Sequence, residues 1–525
     1  MADLHAALTR QHYSPFEIIY IVGPTEDGAW EAAQEWAKGP GVKIARCDAR
    51  NLSLARNMGV ALAAGDLVAF IDDDALPEPE WLVQLVGAFN SPEVAGAGGV
   101  VFDPTGVDFQ FRFCVSDRLG ATQQDLDAPF DDGAYPLSPL FPSVLGANCM
   151  FRRAVLAEVG GFDEEYEYYL DETDLCCRLV DAGYAVRQVA NAPVHHKFLR
   201  NHLRNAARIL VAKYPVLKNQ VYFCLVNDRG HATMSEILAH NGDFFARHRT
   251  NLQHDIEAGR APEGALAQFD VDADKAWRVG LARGLSGARR LRAPADFASP
   301  PRFAQFQTAQ GASPRRTIVL IAGAGTDEER KASALASRLA NSGHDAHVIV
   351  GGAERDEASL RGGAWIRRRA PRFAPMSADA RAIGMPEPFW RIVANVEAEL
   401  RRMAEFRTLD IIEDVSGQGL AIAAIWRGRR DIIVRLAGRS LSLPTLFRQD
   451  DRVSALCRAC LGPIEAALIQ GAKRLSFDTA QARQTAEGRT GTSFAGRSDV
   501  LPLSPDMAAK YIGAFAGAAA HRAKA

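Results

Sequence analysis

The chain has 525 residues, with 61 Lys+Arg against 63 Asp+Glu, a formal charge of −2 and 8 cysteines. At roughly 150 residues per domain, that length predicts two to four domains with sizeable cores. Hydrophobic residues at 47% and charged residues at 24% exclude wholesale disorder, and the near-neutral balance argues against nucleic-acid binding.

No run of about 18 apolar residues is present, so no spanning helix is expected, and MADLHAALTRQHYS lacks the apolar core of a secretory signal. The cysteines are scattered and read as free thiols of a cytoplasmic protein. Cys457-Arg-Ala-Cys460 has redox or metal spacing, but no second pair accompanies it. Along the first 200 residues, strand-like and helix-like segments alternate, which predicts an α/β sheet covered by helices. Phe16–Val22 is a strand, Ala29–Lys38 a helix and Val42–Arg46 a strand. Ser53 is the expected N-cap of a helix over Leu54–Ala64. Leu67–Ile71 is fully apolar, as strands buried in parallel sheets are. A helix over Glu80–Phe89 follows, then a strand near 146, helices at Arg152–Val159 and Leu170–Ala182, and a strand at Ala185–Val189.

Beyond Lys197 the pattern turns helical. In Lys197–Tyr214, Leu199, Leu203, Ala206, Leu210 and Tyr214 share one helical face and Arg200, Arg204 and Arg208 another. Such a helix either packs on its own domain or lies peripherally on an anionic membrane. Pro294–Pro314, rich in Ala, Pro, Gln and Ser, reads as a linker. A second α/β unit opens with Thr317–Ala322, a helix at Glu328–Asn341 and a strand at Ala346–Val350. Further strands are expected at Leu409–Ile412, Ile432–Leu436 and Val500–Leu503.

Asp72-Asp73-Asp74 follows the apolar strand directly, at the carboxyl end where open α/β sheets place ligands. In extended backbone Asp72 and Asp74 point the same way and offer two oxygens to a hard divalent cation. The competing reading is a solvated acidic turn. Asp171, Glu172 and Asp174 fall in the first turn of a helix, either as dipole-stabilising acids or with one of them as a general base. His195-His196 comes just past Pro193, after a strand, and a neutral imidazole there suits the same cation.

In order along the chain, Phe16–Val22 with GPTEDG, Arg56-Asn57 with GVALAAGD, AFIDDDALP, GANCMFRR, GGFDEEY, LDETDLCCRLVDAGY and APVHHK resemble glycosyltransferase family 2, whose fold is GT-A. The resemblance covers roughly residues 10–200. It implies sugar transfer from a nucleotide-diphosphate donor to a hydroxyl of a glycan or lipid-linked acceptor. It further implies that Asp72 and Asp74 hold Mn²⁺ or Mg²⁺, with His196 or its neighbour His195 as third ligand. Glu172 falls at the family's catalytic base and Asp171 is its partner, in an order that is commonly Glu-Asp; one base implies inversion. Asp27 and Arg56, with Asp72 and Asp73, are expected on the donor side. The match begins at the helix that follows the family's first strand, so that strand is expected to be missing.

TIVLIAGAG, LASRLANSGHDAHVIV, LDIIEDVSGQGLAIAA and IIVRLAGRS are similar to the N-terminal half of GT-B glycosyltransferases such as family 4. That half mainly faces the acceptor, so this region is not expected to transfer sugar alone. Gly323-x-Gly325 lacks the third glycine of a dinucleotide fingerprint. The expected layout is a GT-A-like, mostly parallel α/β domain over 1–215, a helical connector with linker over 216–312, and a Rossmann-like domain over 313–525. The leading function is a cytoplasmic, metal-dependent inverting glycosyltransferase of bacterial-type polysaccharide synthesis, working where needed at the inner face of the membrane. Its rivals are a non-catalytic carbohydrate-binding scaffold and a nucleotidyltransferase, the latter lacking a glycine-rich, basic phosphate loop near the start.

Overall fold

The structure, a computed structural model, describes residues 1–130, 134–199, 203–205, 207, 209–298, 302–308, 314–436, 440–442 and 451–519. The chain divides into two α/β units with Rossmann-like sheets, one of residues 1–104 and 108–308, the other of residues 105–107 and 309–525.

The first unit begins α1 (Ala2–Leu8), β1 (Ile18–Val22), α2 (Ala29–Trp36), β2 (Val42–Arg46), α3 (Leu52–Leu62), β3 (Leu67–Phe70), β4 (Ala75–Pro77), α4 (Trp81–Gly87) and β5 (Val94–Phe102). It continues with β6 (Phe109–Phe111), β7 (Val115–Asp117), β8 (Thr122–Gln123), β9 (Leu140–Pro142), β10 (Cys149–Arg152), α5 (Arg153–Glu158) and α6 (Asp171–Asp181). Last come β11 (Ala185–His196), α7 (Tyr214–Asn227), α8 (Met234–Glu257) and α9 (Ala265–Ser286). A six-stranded sheet runs β3-β10-β5-β11-β4, with β6 also on β5. β1 and β2 pair in parallel by themselves, and β8-β7-β9 form a small third sheet.

Pairing in the large sheet is mixed. β11 runs parallel to β5, whereas β10 is antiparallel to both β3 and β5. β3 therefore does not sit inside a parallel sheet as its apolar run suggested. It stands at one end of the sheet, and only Val68 of its four residues is buried. β5 is buried at all nine positions and carries Gly99 where β11 crosses most closely. A Cβ on Gly99 would lie 2.0 Å from the Ala192 carbonyl oxygen, so a side chain there would force the strands apart.

Three expectations change. Asn51, not Ser53, caps α3: its Oδ1 accepts from the Leu54 amide at 2.9 Å, while Ser53 Oγ donates to the Tyr166 carbonyl. The basic helix over Lys197–Tyr214 does not form among the described residues. Phe198 takes a left-handed φ of +52°, Arg204 and Leu210 form an isolated antiparallel bridge, and helix starts only at Tyr214. Arg200, Ala206 and Arg208 of that expectation lie outside the described residues. Finally, the region expected as connector and linker folds into the first unit. Tyr222 and Phe223 of α7 join the core around Phe162 and Leu175. Within the linker, Pro294–Phe297 makes a 3-10 turn that buries Phe297, and Phe306 is buried with its amide donating to the Phe16 carbonyl at 2.7 Å. Two aromatic anchors outweigh the linker-like composition around them.

The second unit runs β12 (Thr317–Gly323), α10 (Asp327–Asn341), β13 (Asp345–Gly351), β14 (Glu357–Arg361), β15 (Ala364–Arg369), α11 (Ala378–Ala382), α12 (Glu387–Phe406) and β16 (Ile411–Asp414). α13 (Ile422–Trp426), β17 (Ile432–Arg435), α14 (Asp451–Gly471), β18 (Arg474–Phe477), α15 (Ala480–Thr490), β19 (Ser498–Val500) and α16 (Ala508–Ala519) complete it. Its eight strands are ordered β14-β15-β13-β12-β16-β17-β18-β19, and β14 alone is antiparallel to its neighbour. On α12, Phe389, Val393, Val396, Leu400 and Met403 repeat at helical spacing and are all buried. Cys457 and Cys460 face the same core from α14, and all eight cysteines are buried and free. Among the described residues no helix is long and apolar enough to cross a membrane.

Glu399 on α12 is fully buried between Arg369 at 2.8 Å, Arg402 at 3.0 Å and Arg367 at 3.3 Å. Burial pushes its carboxyl up, but the three guanidiniums outweigh that and hold it down to about 2, against an ordinary 4.5. A depressed carboxylate stabilises the fold above its unfolded value and loses that contribution as pH falls towards its folded one. Calorimetric unfolding of the second unit is thus expected to weaken steadily between pH 4.5 and pH 2. Glu399→Gln should flatten that slope, and an unchanged slope would refute the assignment.

Candidate active site

Two groups of polar side chains stand on the first unit, one after the end of β3 and one at the start of α6. The first begins where β3 ends. After Phe70 the chain passes Asp72–Asp74, turns through an Ala75 amide bond to the Asp72 carbonyl at 3.0 Å, and enters β4. β4 pairs antiparallel with the end of β11, placing His196 opposite Ala75 and His195 opposite Leu76. His196 Nε2 lies 3.0 Å from Asp74 Oδ1 and 3.8 Å from Asp72 Oδ2. The three residues offer ligand atoms all within 4.8 Å of one another. Gln110 Oε1, on β6, sits 2.8 Å from His196 Nδ1 and so turns Nε2 towards the carboxylates. Orientation through the second ring nitrogen is how metal-binding histidines are commonly held.

The two carboxylates differ electrically. Burial raises Asp72, opposed by the Arg56 and His196 charges. Burial also pushes Asp74 up, but hydrogen bonds from His196 and from the Leu199 amide, at 2.7 Å, hold it below its ordinary value. His195 is not part of this group. Successive side chains of a strand face opposite ways, and His195 Nε2 meets buried Glu78 at 2.8 Å while its ring stacks on Phe102. Asp73 is exposed and outside the cluster, and so is Asp27. Asp27 itself caps the Ala29 amide at 3.1 Å.

The second group stands at the start of α6. Tyr169 and Leu170 enter that helix with φ of +78° and +67°, two left-handed side-chain-bearing residues in a row. Each costs on the order of 1–3 kcal/mol and persists only when its surroundings impose it. Here Asn219 of α7 imposes it, donating to the Tyr168 carbonyl at 2.7 Å and the Tyr169 carbonyl at 3.1 Å. Asp171 and Glu172 follow at once. Asp171 is 1% exposed and ion-paired with Arg56 Nη1. Burial raises its carboxyl, Arg56 opposes the rise and Glu172 adds to it. Glu172 keeps 13% of its side chain exposed, accepts from the Gly146 amide at 3.1 Å and lies 3.9 Å from Arg56. Arg56, expected on the donor side, pairs with Asp171 and also acts electrostatically on Asp72. Asp174, one turn on, is fully buried among Arg289, Arg178, Asn227 and Tyr166.

Gln110, Asn219 and Arg289 were not singled out from the sequence, and Gly146 entered only as the first residue of GANCMFRR. One signal was present: Lys218-Asn219-Gln220 interrupts an apolar stretch, and all three prove buried. In the second unit, the Gly325 amide is taken by Glu329 at 2.7 Å, and Asp327, Glu328 and Glu329 crowd the first turn of α10. Such charge opposes a phosphate at that helix end. A cavity opens at the carboxyl ends of β16 and β17, lined by Glu328, Lys331, Ser416, Arg435, Leu436 and Asp478.

Residues 1–160 match the family described as Glycosyl transferase family 2. Over 200 residues the chain is 28% identical to the glucosyl-dolichyl phosphate glucuronosyltransferase of Haloferax volcanii, covering 36% of this chain and 61% of the relative. Over 151 residues it is 32% identical to the pre-mycofactocin glycosyltransferase of Mycobacterium tuberculosis, covering 29% of this chain and 31% of that protein. The chain therefore spans about three fifths of the first relative and under a third of the second. Among solved structures, S. aureus TarS 1–349 aligns with 15% identity and a TM-score of 0.34, covering 55% of this chain and 76% of that one.

Proposed function

We propose that the first unit is an inverting, cation-assisted glycosyltransferase that takes a sugar from a nucleotide-diphosphate donor. The observation that carries this reading is the pairing of a hard N/O ligand set, Asp72, Asp74 and His196 within 4.8 Å, with the carboxylate pair Asp171–Glu172. The charges of Arg56 and Asp171 reach Asp72, after burial itself, which supports the two groups serving one reaction. The family match over residues 1–160 supports the same chemistry.

Two carboxylate oxygens and a ring-oriented imidazole suit Mn²⁺ or Mg²⁺. When bound there, the cation supplies Lewis-acid neutralisation of charge on the departing nucleoside diphosphate. Glu172 accepts the proton of the acceptor hydroxyl. The acceptor oxygen forms its bond to the anomeric carbon as the bond from that carbon to the diphosphate breaks, and the electron pair leaves with the nucleotide. One displacement with one base inverts the anomeric centre. Asp171 stays buried against Arg56 and does not meet the acceptor. The Haloferax volcanii relative carries glucosyl-dolichyl phosphate in its name, and this reading gives the present chain a glycan or lipid-linked acceptor used in the cytoplasm or at the inner face of its membrane.

Calorimetric titration of UDP, GDP and dTDP, with and without Mn²⁺, tests the donor site. One nucleotide is expected to bind only with the metal, and Asp74→Ala is expected to lose that binding. Failure of all three to bind in the presence of Mn²⁺, or binding that ignores both the metal and Asp74→Ala, would overturn the reading.

A further inference from the structure

Arg56 sits behind the acidic pair in a set of contacts that leaves it no freedom. α3 carries it, and α3 is fastened to the segment before α6 on three sides. Asn51 Nδ2 donates to the Glu164 carbonyl at 2.8 Å, Ser53 Oγ to the Tyr166 carbonyl at 2.7 Å, and Asn57 both donates to and accepts from Phe162 at 2.8 Å. The guanidinium lies 5.3 Å from the centre of the Phe162 ring, pairs with Asp171 and stands 3.9 Å from Glu172. It is 8% exposed.

Gly146, packed directly against the guanidinium, completes the arrangement. A Cβ at Gly146 would lie 2.2 Å from Arg56 Nη2, so only glycine admits the guanidinium at this distance. The amide of the same glycine donates to Glu172 Oε1, while Glu172 Oε2 is the oxygen nearest Arg56. One carboxylate oxygen is therefore fixed by a backbone hydrogen bond and the other lies within ion-pair distance of the guanidinium, while 13% of the side chain stays exposed. Two adjacent carboxylates on a buried helical turn repel each other unless a cation offsets one of them. Arg56 offsets Asp171, the more deeply buried of the two.

We propose that Arg56, together with the Gly146 amide, is a positioning device that aims Glu172 at the acceptor hydroxyl and does not grip the nucleotide sugar. This rests on Glu172 being the base, as proposed above. Nη1 stands nearest both carboxylates while Nη2 fills the space beside Gly146, two places that a planar guanidinium covers at once and that the single point charge of an ammonium does not. Arg56→Lys thus retains a counter-ion for Asp171 and loses part of the reach to Glu172. Arg56→Met loses both.

The test uses the full chain with UDP-glucose, GDP-mannose and dTDP-rhamnose, following nucleotide release, and titrates the matching nucleoside diphosphate with Mn²⁺. Arg56→Met is expected to lower kcat on the order of 10²-fold, the scale of a misplaced catalytic group, with nucleotide affinity and KM within about twofold of the parent. Arg56→Lys should recover part of kcat. Gly146→Ala, which leaves the arginine in the chain but displaces it, should reproduce the kcat loss, so the proposal stays testable if Arg56→Met folds poorly. A fall in nucleotide affinity with kcat retained would overturn the proposal, because Arg56 would then hold the donor. Unchanged kcat in both Arg56→Met and Gly146→Ala, beside an inactive Glu172→Gln, would overturn it while leaving the base assignment standing. Full activity of Glu172→Gln would instead overturn the reading beneath it.

Discussion

Glu172→Gln is expected to bind the donor nucleotide as the parent does and to transfer sugar about 10²–10⁴-fold more slowly, the range that general-base catalysis supplies. The substitution keeps the shape of the side chain and its hydrogen bond from Gly146, but an amide takes up no proton. Asp74→Ala should show the opposite split, with binding lost first, because Asp74 belongs to the group around His196. Asp171→Asn gives a third pattern. It removes the counter-charge of a buried arginine and leaves Glu172 in place, so activity should fall through misorientation and the protein should lose stability as well. Steady-state kinetics beside nucleotide titration separates these three outcomes. Equal loss of binding in Glu172→Gln and Asp74→Ala would collapse the distinction between base and cation site.

Much of this site was legible because the sequence carries its chemistry in contiguous runs. Three aspartates after an apolar strand and three acids in a helix's first turn announce themselves without a structure. What the runs do not carry is which neighbour does the work. His195 and His196 differ only in the strand face they occupy, and the register of β11 against β4 decides between them. Asp72 and Asp74 separate from Asp73 within a turn closed by the Ala75 amide on the Asp72 carbonyl, which no strand alternation describes. Arg56 was legible as a charge and illegible as a contact, since its partner lies 115 residues away in the chain. The fold shows a similar division. Alternating strands and helices gave the α/β class, whereas the ends of the first unit depended on single residues. A positive φ at Phe198 stops a helix that periodicity favoured, and two phenylalanines fasten a segment whose composition reads as linker. Periodicity averages over a window, and a backbone break or an aromatic anchor acts at one position.

Asp174→Ala is expected to destabilise the first unit by about 3–5 kcal/mol, the cost of breaking a buried ion pair by removing one partner. The alternative role of this residue, an acid at a helix N-terminus, is worth only about 0.3–1 kcal/mol, so the size of the loss decides between them. Asp174 accepts from Arg289 at 2.6 Å, Arg178 at 2.8 Å, Asn227 at 2.9 Å and Tyr166 at 3.2 Å, and it is fully buried. Burial pushes its carboxyl up, yet the two guanidiniums hold it well below the ordinary carboxylate range. Arg289 lies just beyond α9, and Asn227 ends α7, so the same carboxylate joins the helices that follow the sheet to the helix that bears Glu172. Differential scanning calorimetry measures the loss, with Glu399→Gln as the control. Each unit has its own core, so the two substitutions should move different transitions. Asp174→Asn keeps the hydrogen-bonding oxygen without the charge and should fall between Asp174→Ala and the parent. A shift below about 1 kcal/mol for Asp174→Ala would reduce the residue to a dipole effect and leave Arg289 held by Asp163 at 3.3 Å.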